Sequence, residues 1–181
     1  MKKYLLPLLV LAILFLTSCE EKIDIEKEKE AIKAVIEGEI KASFDGDYET
    51  WTTFFANESY TFWLQAWNDG YISWTGWQDI STAAKEWVKP ERKGTRIYEG
   101  NYGYIIQVYK ESALAIFKCK SSIAEADEQD ELIGLEVRAL EKKNGEWKIT
   151  YLGTVYSSSY EEEVMEIAEP EEEEPEIEET E

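Results

Sequence analysis

No histidine occurs in the 181 residues, which removes Ser-His and Cys-His nucleophile pairs and the imidazole ligands on which most protein zinc sites depend. Cysteine is almost as scarce, with only Cys19 and Cys119, so a disulfide-dense scaffold is excluded and any stability must come from a packed core. Basic residues are few: 19 Lys and Arg stand against 39 Asp and Glu, for a net charge of −20. A surface of that sign repels phosphate backbones and anionic lipid headgroups, which argues against nucleic acid as a partner. The longest apolar run, Tyr4 to Leu16, is 13 residues and contains Pro7. A spanning helix needs about 20.

That run follows Lys2 and Lys3 and ends in Leu16-Thr17-Ser18-Cys19. The order of charged, apolar and small residues is that of an export signal, and its close resembles the lipobox of bacterial lipoproteins. The resemblance implies that residues 1–18 are a signal peptide and that Cys19 is the acylated first residue. The chain would then be lipid-anchored to a membrane of the bacterial cell envelope, the outer membrane in a Gram-negative cell. With Cys19 lipidated, Cys119 has no disulfide partner. Residues 19–24 read as a tether, and removing the two signal lysines moves the charge to −22. Glu161 to Glu181 holds 13 glutamates and no Lys or Arg, leaving Cys19 to Tyr160 near −9. Residues 160–181 have too little apolar surface to offset the entropy of ordering, so a disordered acidic tail is expected. It lacks the Asp/Asn/Gly spacing of a calcium loop, and no metal or cofactor is expected elsewhere.

Between these ends, residues 25–159 read as one domain. Ile32, Val35, Ile36, Ile40 and Phe44 recur at helical spacing, with Glu37 and Lys41 on the wet face, predicting a helix over Glu26 to Phe44. Asp45-Gly46-Asp47 ends it, and Asp47 is positioned to cap a short second helix through Trp51, Phe54 and Phe55. Ser59 to Trp67 and Tyr71 to Trp74, joined by Asn68-Asp69-Gly70, predict a hairpin. Asp79 to Val88 predicts a third helix before Pro90. Four strands follow, Tyr98 to Tyr109, Ala113 to Ile123, Leu132 to Lys142 and Trp147 to Ser158, the last two joined by Asn144-Gly145, whose residues suit the positive φ angles of a type I′ turn. Glu125 to Glu131 is the longer connection. This order is α+β, with three helices from the N-terminal half packed on a curved antiparallel sheet.

Gly46-Asp47 opening a short helix that ends in Phe54-Phe55-Ala56, with Asn144-Gly145-Glu146-Trp147-Lys148-Ile149 near the end, resembles the nuclear transport factor 2-like superfamily, particularly its SnoaL-like branch. The resemblance implies a cone-shaped fold enclosing a pocket, frequent homodimers, and either isomerase, dehydratase or cyclase activity or simple binding. Members often carry histidines on the last strand, where this chain has Tyr151 and Gly153. Ketosteroid-isomerase-like members carry a carboxylate base on the first strand, yet Ser59 to Trp67 holds no Asp or Glu.

A two-residue turn at Asn144-Gly145 fixes the pairing of the last two strands: Lys142 with Trp147, Leu140 with Ile149, Arg138 with Tyr151 and Glu136 with Gly153. Glu136, Arg138 and Tyr151 are thereby expected on the concave face, as an ion pair with a neighbouring hydroxyl or as the polar floor of a pocket. Six of seven tryptophans lie between Trp51 and Trp87. Trp63, Trp67, Trp74 and Trp77, on or beside the first hairpin, are candidates for contact with a ligand, together with Tyr104; Trp51, Trp87 and Trp147 read as core. Cys119 also reads as core. Lys85, Lys89, Arg92, Lys93 and Arg96 read as solvation of the third helix and its exit loop. Gly100-Asn101-Tyr102-Gly103 is no phosphate loop, since no Gly-Lys-Ser/Thr follows.

The reading that accommodates most of this is a non-catalytic, lipid-anchored module with an aromatic-lined pocket for a small molecule or glycan. Its alternatives are a lyase or isomerase with Glu136 as base, Tyr151 as donor and Arg138 as orienting cation, or a homodimeric scaffold docking a partner on its outer sheet face.

Overall fold

The computed structural model describes residues 23–124 and 131–157. The signal segment with Cys19, most of the tether, the connection over 125–130 and the acidic tail lie outside the described residues. Helix α1, Ile25–Asp45, begins at Asp24, whose carboxylate accepts from Lys27 N at 3.2 Å, a cap contributing about 1 kcal/mol. Its inner stripe of Ile32, Ile36 and Ile40 is buried as the helical spacing predicts. Gly46, at φ 67°, ends it. Asp47 then caps α2, Tyr48–Thr52, by accepting from Thr50 N at 3.0 Å. Helix α3, Trp77–Trp87, is followed by a 3₁₀ turn over Pro90–Arg92.

The strands are β1 Phe62–Trp67, β2 Gly70–Thr75, β3 Arg96–Val108, β4 Ser112–Ile123, β5 Glu131–Lys143 and β6 Glu146–Ser157. They form one curved, unclosed sheet in the order β2-β1-β6-β5-β4-β3. Four of the five neighbouring pairs are antiparallel and consecutive in sequence, but β1 pairs with β6 in parallel, Phe62 opposite Tyr151 and Leu64 opposite Gly153. The sheet is curved and antiparallel as expected except for this one parallel pair, which corrects the expectation at β1 and β6 alone. The helices cover its concave face, where alternate β4 residues Ala113, Ala115, Phe117 and Cys119 are buried in one core cluster with Ile32, Ile36 and Ile40 of α1 and Trp51 of α2. The hairpin turn is as its residues predict, with Asn144 at φ 53° and Gly145 at φ 86°.

Candidate functional site

The site is built by one irregularity in β6. Near the turn the pairing is regular, Lys142 opposite Trp147 and Leu140 opposite Ile149, but Ala139 then faces Tyr151 and leaves Thr150 as an extra residue. Thr150 Oγ1 donates to Ala139 O at 3.2 Å. The bulge falls where β6 changes neighbours on its other edge: Ile149 N donates to Phe54 O at 2.8 Å and Ala56 N to Ile149 O at 2.9 Å, whereas β1 takes over at Tyr151.

Beyond a bulge every side chain changes face. Arg138 therefore faces Leu152 and Glu136 faces Thr154, which corrects the expected pairings with Tyr151 and Gly153. Tyr151 lies on the outer face, stacked on Phe62 with ring centroids 5.7 Å apart. There it also covers Gly153, whose added Cβ would sit 2.6 Å from its ring. It is not beside Glu136.

On the concave face Arg138 is 2% exposed and lies between two carboxylates. Its Nη2 donates to Glu39 Oε2 at 3.0 Å and its Nη1 to Glu136 Oε2 at 2.8 Å and to Gly153 O at 3.3 Å. Thr154 Oγ1 donates to Glu136 Oε2 at 2.7 Å, and Trp51 Nε1 to Glu39 Oε1 at 2.8 Å. Burial pushes the Glu39 carboxyl above its ordinary range, against the opposing pull of Arg138 and Trp51. Those two carboxylates hold the Arg138 guanidinium above its usual value despite its burial. Each of the three charges is thereby held by another, the condition under which charges are tolerated in an interior.

Above this network lies a cavity of about 280 Å³, near the lower end of ligand-pocket sizes. Among its lining residues are Glu136, Arg138, Trp63 and Trp67, four of the residues marked in the sequence. Trp74 packs on Trp63 at 4.6 Å, and Trp77 stacks on Trp51 at 6.4 Å; neither lines the cavity. Tyr104 is stacked on Phe117 at 4.8 Å, with Lys33 Nζ 5.2 Å from its ring, also outside the lining. Trp51 is core as the sequence reads it, 1% exposed, and also lines the cavity, whereas Trp87, read as core too, lines the cavity at 36% exposed. Cys119 lines it too, and burial pushes its thiol up to about 12, so it stays protonated and poorly nucleophilic near neutral pH.

Glu39 and Thr154 escaped the sequence reading, and Arg92 and Arg96, read there as solvation of the third helix and its exit loop, line the cavity instead. Glu39 falls seven residues after Ile32 and three after Ile36, so its place on the apolar stripe of α1 was readable. Arg96 lies two residues before the half-buried Tyr98, an inward-facing position of β3. Thr154 carried no signal, because its face depends on the bulge. Among the described residues no group of three or more His, Cys, Asp or Glu side chains is placed to hold a metal ion.

No protein-family profile matches the chain, and no curated protein matches it. Solved structures do. A nuclear transport factor 2-like protein of unknown function from Pseudomonas putida KT2440 is similar at a TM-score of 0.59 and 14% identity, over 74% of this chain and 88% of that one. A nuclear transport factor 2-like superfamily protein from Salmonella enterica is similar at 0.58 and 18% identity, over 75% and 95%. A third, from Shewanella oneidensis MR-1, matches at 0.52 and 16%, over 71% and 98%. The fold is the nuclear transport factor 2-like one.

Proposed function

We propose that this chain of nuclear transport factor 2-like fold is a non-catalytic binding module, anchored by lipid on Cys19 in the bacterial cell envelope, that holds a small organic ligand in its concave cavity. The supporting observation is how the polar groups of the cavity are used. Glu39, Glu136, Arg138 and Thr154 are occupied with one another, whereas Trp63 Nε1, Gln65 Oε1 and Arg96 Nε are buried without partners. A general base must be free to take a proton from substrate, and Glu136 is committed to Arg138 and Thr154. Unpaired buried donors and acceptors cost free energy until something satisfies them, which a bound ligand does. The enzymatic alternative lacks its donor, since Tyr151 is on the other face.

Thermal-shift and tryptophan-fluorescence titration of the mature protein against small organic acids, amides, alcohols and short sugars tests binding. Binders are expected to raise the midpoint, by about 2.7 kcal/mol of stabilisation at a hundredfold excess over Kd, and to perturb the emission. Trp63→Phe should weaken them. A panel with no binder sinks the proposal, and so does turnover of a bound compound that Glu136→Gln abolishes.

Anchoring is tested separately. Intact mass of the membrane fraction should show a chain beginning at a diacylglyceryl-modified Cys19, and Cys19→Ala should release the protein. A mature chain beginning elsewhere, or one without lipid mass, overturns the assignment.

A further inference from the structure

We propose that the ligand is an organic anion: a carboxylate seated on Arg96, with an apolar body and a hydroxyl reaching towards Trp63 and Gln65. This rests on the binding reading above and specifies the ligand class. The chain has only three arginines, Arg92, Arg96 and Arg138, against 16 lysines, and all three line the one cavity. Arginine presents a planar fork of donors that matches a carboxylate, which lysine does not.

The three are used differently. Arg138 is neutralised by Glu39 and Glu136. Arg96 has no carboxylate partner among the described residues: its Nη2 donates to Ser121 Oγ at 3.0 Å, its Nη1 to Tyr156 Oη at 3.4 Å, and its Nε is buried and unpaired. Its guanidinium carbon lies 5.0 Å from the Phe44 ring and 5.6 Å from the Tyr156 ring, which fixes its plane without cancelling its charge. Arg92, over Trp87 at 4.7 Å, likewise has no carboxylate partner among the described residues.

In a chain with twice as many acids as bases, two arginines at one cavity without acid partners among the described residues depart from what composition alone would supply. Among the described residues, the charged side chains of the cavity wall are Glu39, Glu136 and the three arginines, a net of +1 inside a protein of −20. Long-range repulsion slows an anion's approach, but the site itself is positive, and the local contacts are the less screened ones.

Sheet register places the remaining unpaired atoms. Trp63 pairs with Leu152 and Gln65 with Thr154, while Arg96 reaches Tyr156, four residues along β6 from Leu152. Four residues of strand are about 13 Å. Trp63 Nε1 needs an acceptor and Gln65 Oε1 a donor, and a hydroxyl can be both. The lining between them, including Trp51, Phe44, Leu132 and Leu152, suits an apolar body.

Matched probes separate this inference from the binding reading. The mature protein is titrated with ω-hydroxydecanoate and para-hydroxyphenylpropionate, each beside its primary amide. At least one acid should bind about tenfold or more tighter than its amide at neutral pH, the scale of a charge-assisted contact. Arg96→Gln should abolish the preference, bringing acid and amide to similar affinities, and Arg96→Lys should restore part of it. Trp63→Phe should reduce the advantage of the hydroxylated acid over decanoate. Amides binding as tightly as acids, or a preference that survives Arg96→Gln, overturn the anion assignment with binding intact. Binding by neither acids nor amides, with none elsewhere in the ligand panel, sinks the binding reading itself.

Discussion

Arg138→Ala should lower stability by about 3–5 kcal/mol, the usual cost of removing one partner from a buried ion pair. The guanidinium bridges Glu39 and Glu136, which are 2% and 5% exposed, and alanine would leave two buried carboxylates without their shared cation. Two adjacent buried carboxylates repel, so one is driven to take up a proton, and the loss should be largest above neutral pH and smaller in mild acid. Urea titration at two pH values measures both effects, through a fall in midpoint at nearly constant slope. Adding Glu39→Gln to Arg138→Ala should recover part of the loss, because it removes one of the stranded charges. A midpoint shift worth under about 1 kcal/mol would show that the network is solvated and contributes little.

The sign of the Glu39 shift makes a second use of the same titration. A carboxyl raised by burial binds a proton more readily folded than unfolded, so its contribution is most favourable below its unfolded value and declines as pH rises through its folded one. In Glu39→Gln that decline should be absent from the stability profile.

How much of this was legible in the sequence differs by feature. The α1 stripe, both Asp caps and the Asn144-Gly145 turn rest on interactions within a few residues, and the sequence displays them directly. The same turn gives the correct pairing as far as Leu140 and Ile149. It fails at Thr150 because the bulge answers a demand from elsewhere: Phe54 to Ala56 hold one part of β6 and β1 holds the next, and neither lies near it in sequence. Alternation could not reveal the slip, since Tyr151 and Leu152 are both acceptable in a buried row. Glu136 and Arg138 were placed correctly because β5 itself carries no extra residue; their partners came from α1 and from the far side of the bulge. The convergence of all three arginines becomes visible only once Pro90–Arg92 and the start of β3 are brought over the open end of the sheet.

That placement of the Pro90 turn depends on one glycine, and Gly46→Ala should be the most damaging single-methyl change in the domain. Gly46 closes α1 in the left-handed region at φ 67°; its N–H donates to Ser43 O at 3.2 Å and the next, Asp47 N, to Ala42 O at 2.9 Å. A Cβ there would lie 2.3 Å from Lys89 O and 2.6 Å from Lys89 C, which are backbone atoms with no rotamer to change. Left-handed strain and the forced displacement together should cost about 3 kcal/mol or more. Gly145→Ala is the control: φ is 86° but nothing lies within 4 Å of the added carbon, so only the conformational cost of about 1–2 kcal/mol applies. Lys89 leads directly into Pro90–Arg92, so a displaced loop should also carry Arg92 away from the cavity mouth. Gly46→Ala should therefore weaken ligand binding at temperatures where the protein is still folded, whereas Gly145→Ala, at the far end of the hairpin, should not. Equal stability losses in the two variants would mean that the Lys89 loop yields freely and does not set the mouth of the site.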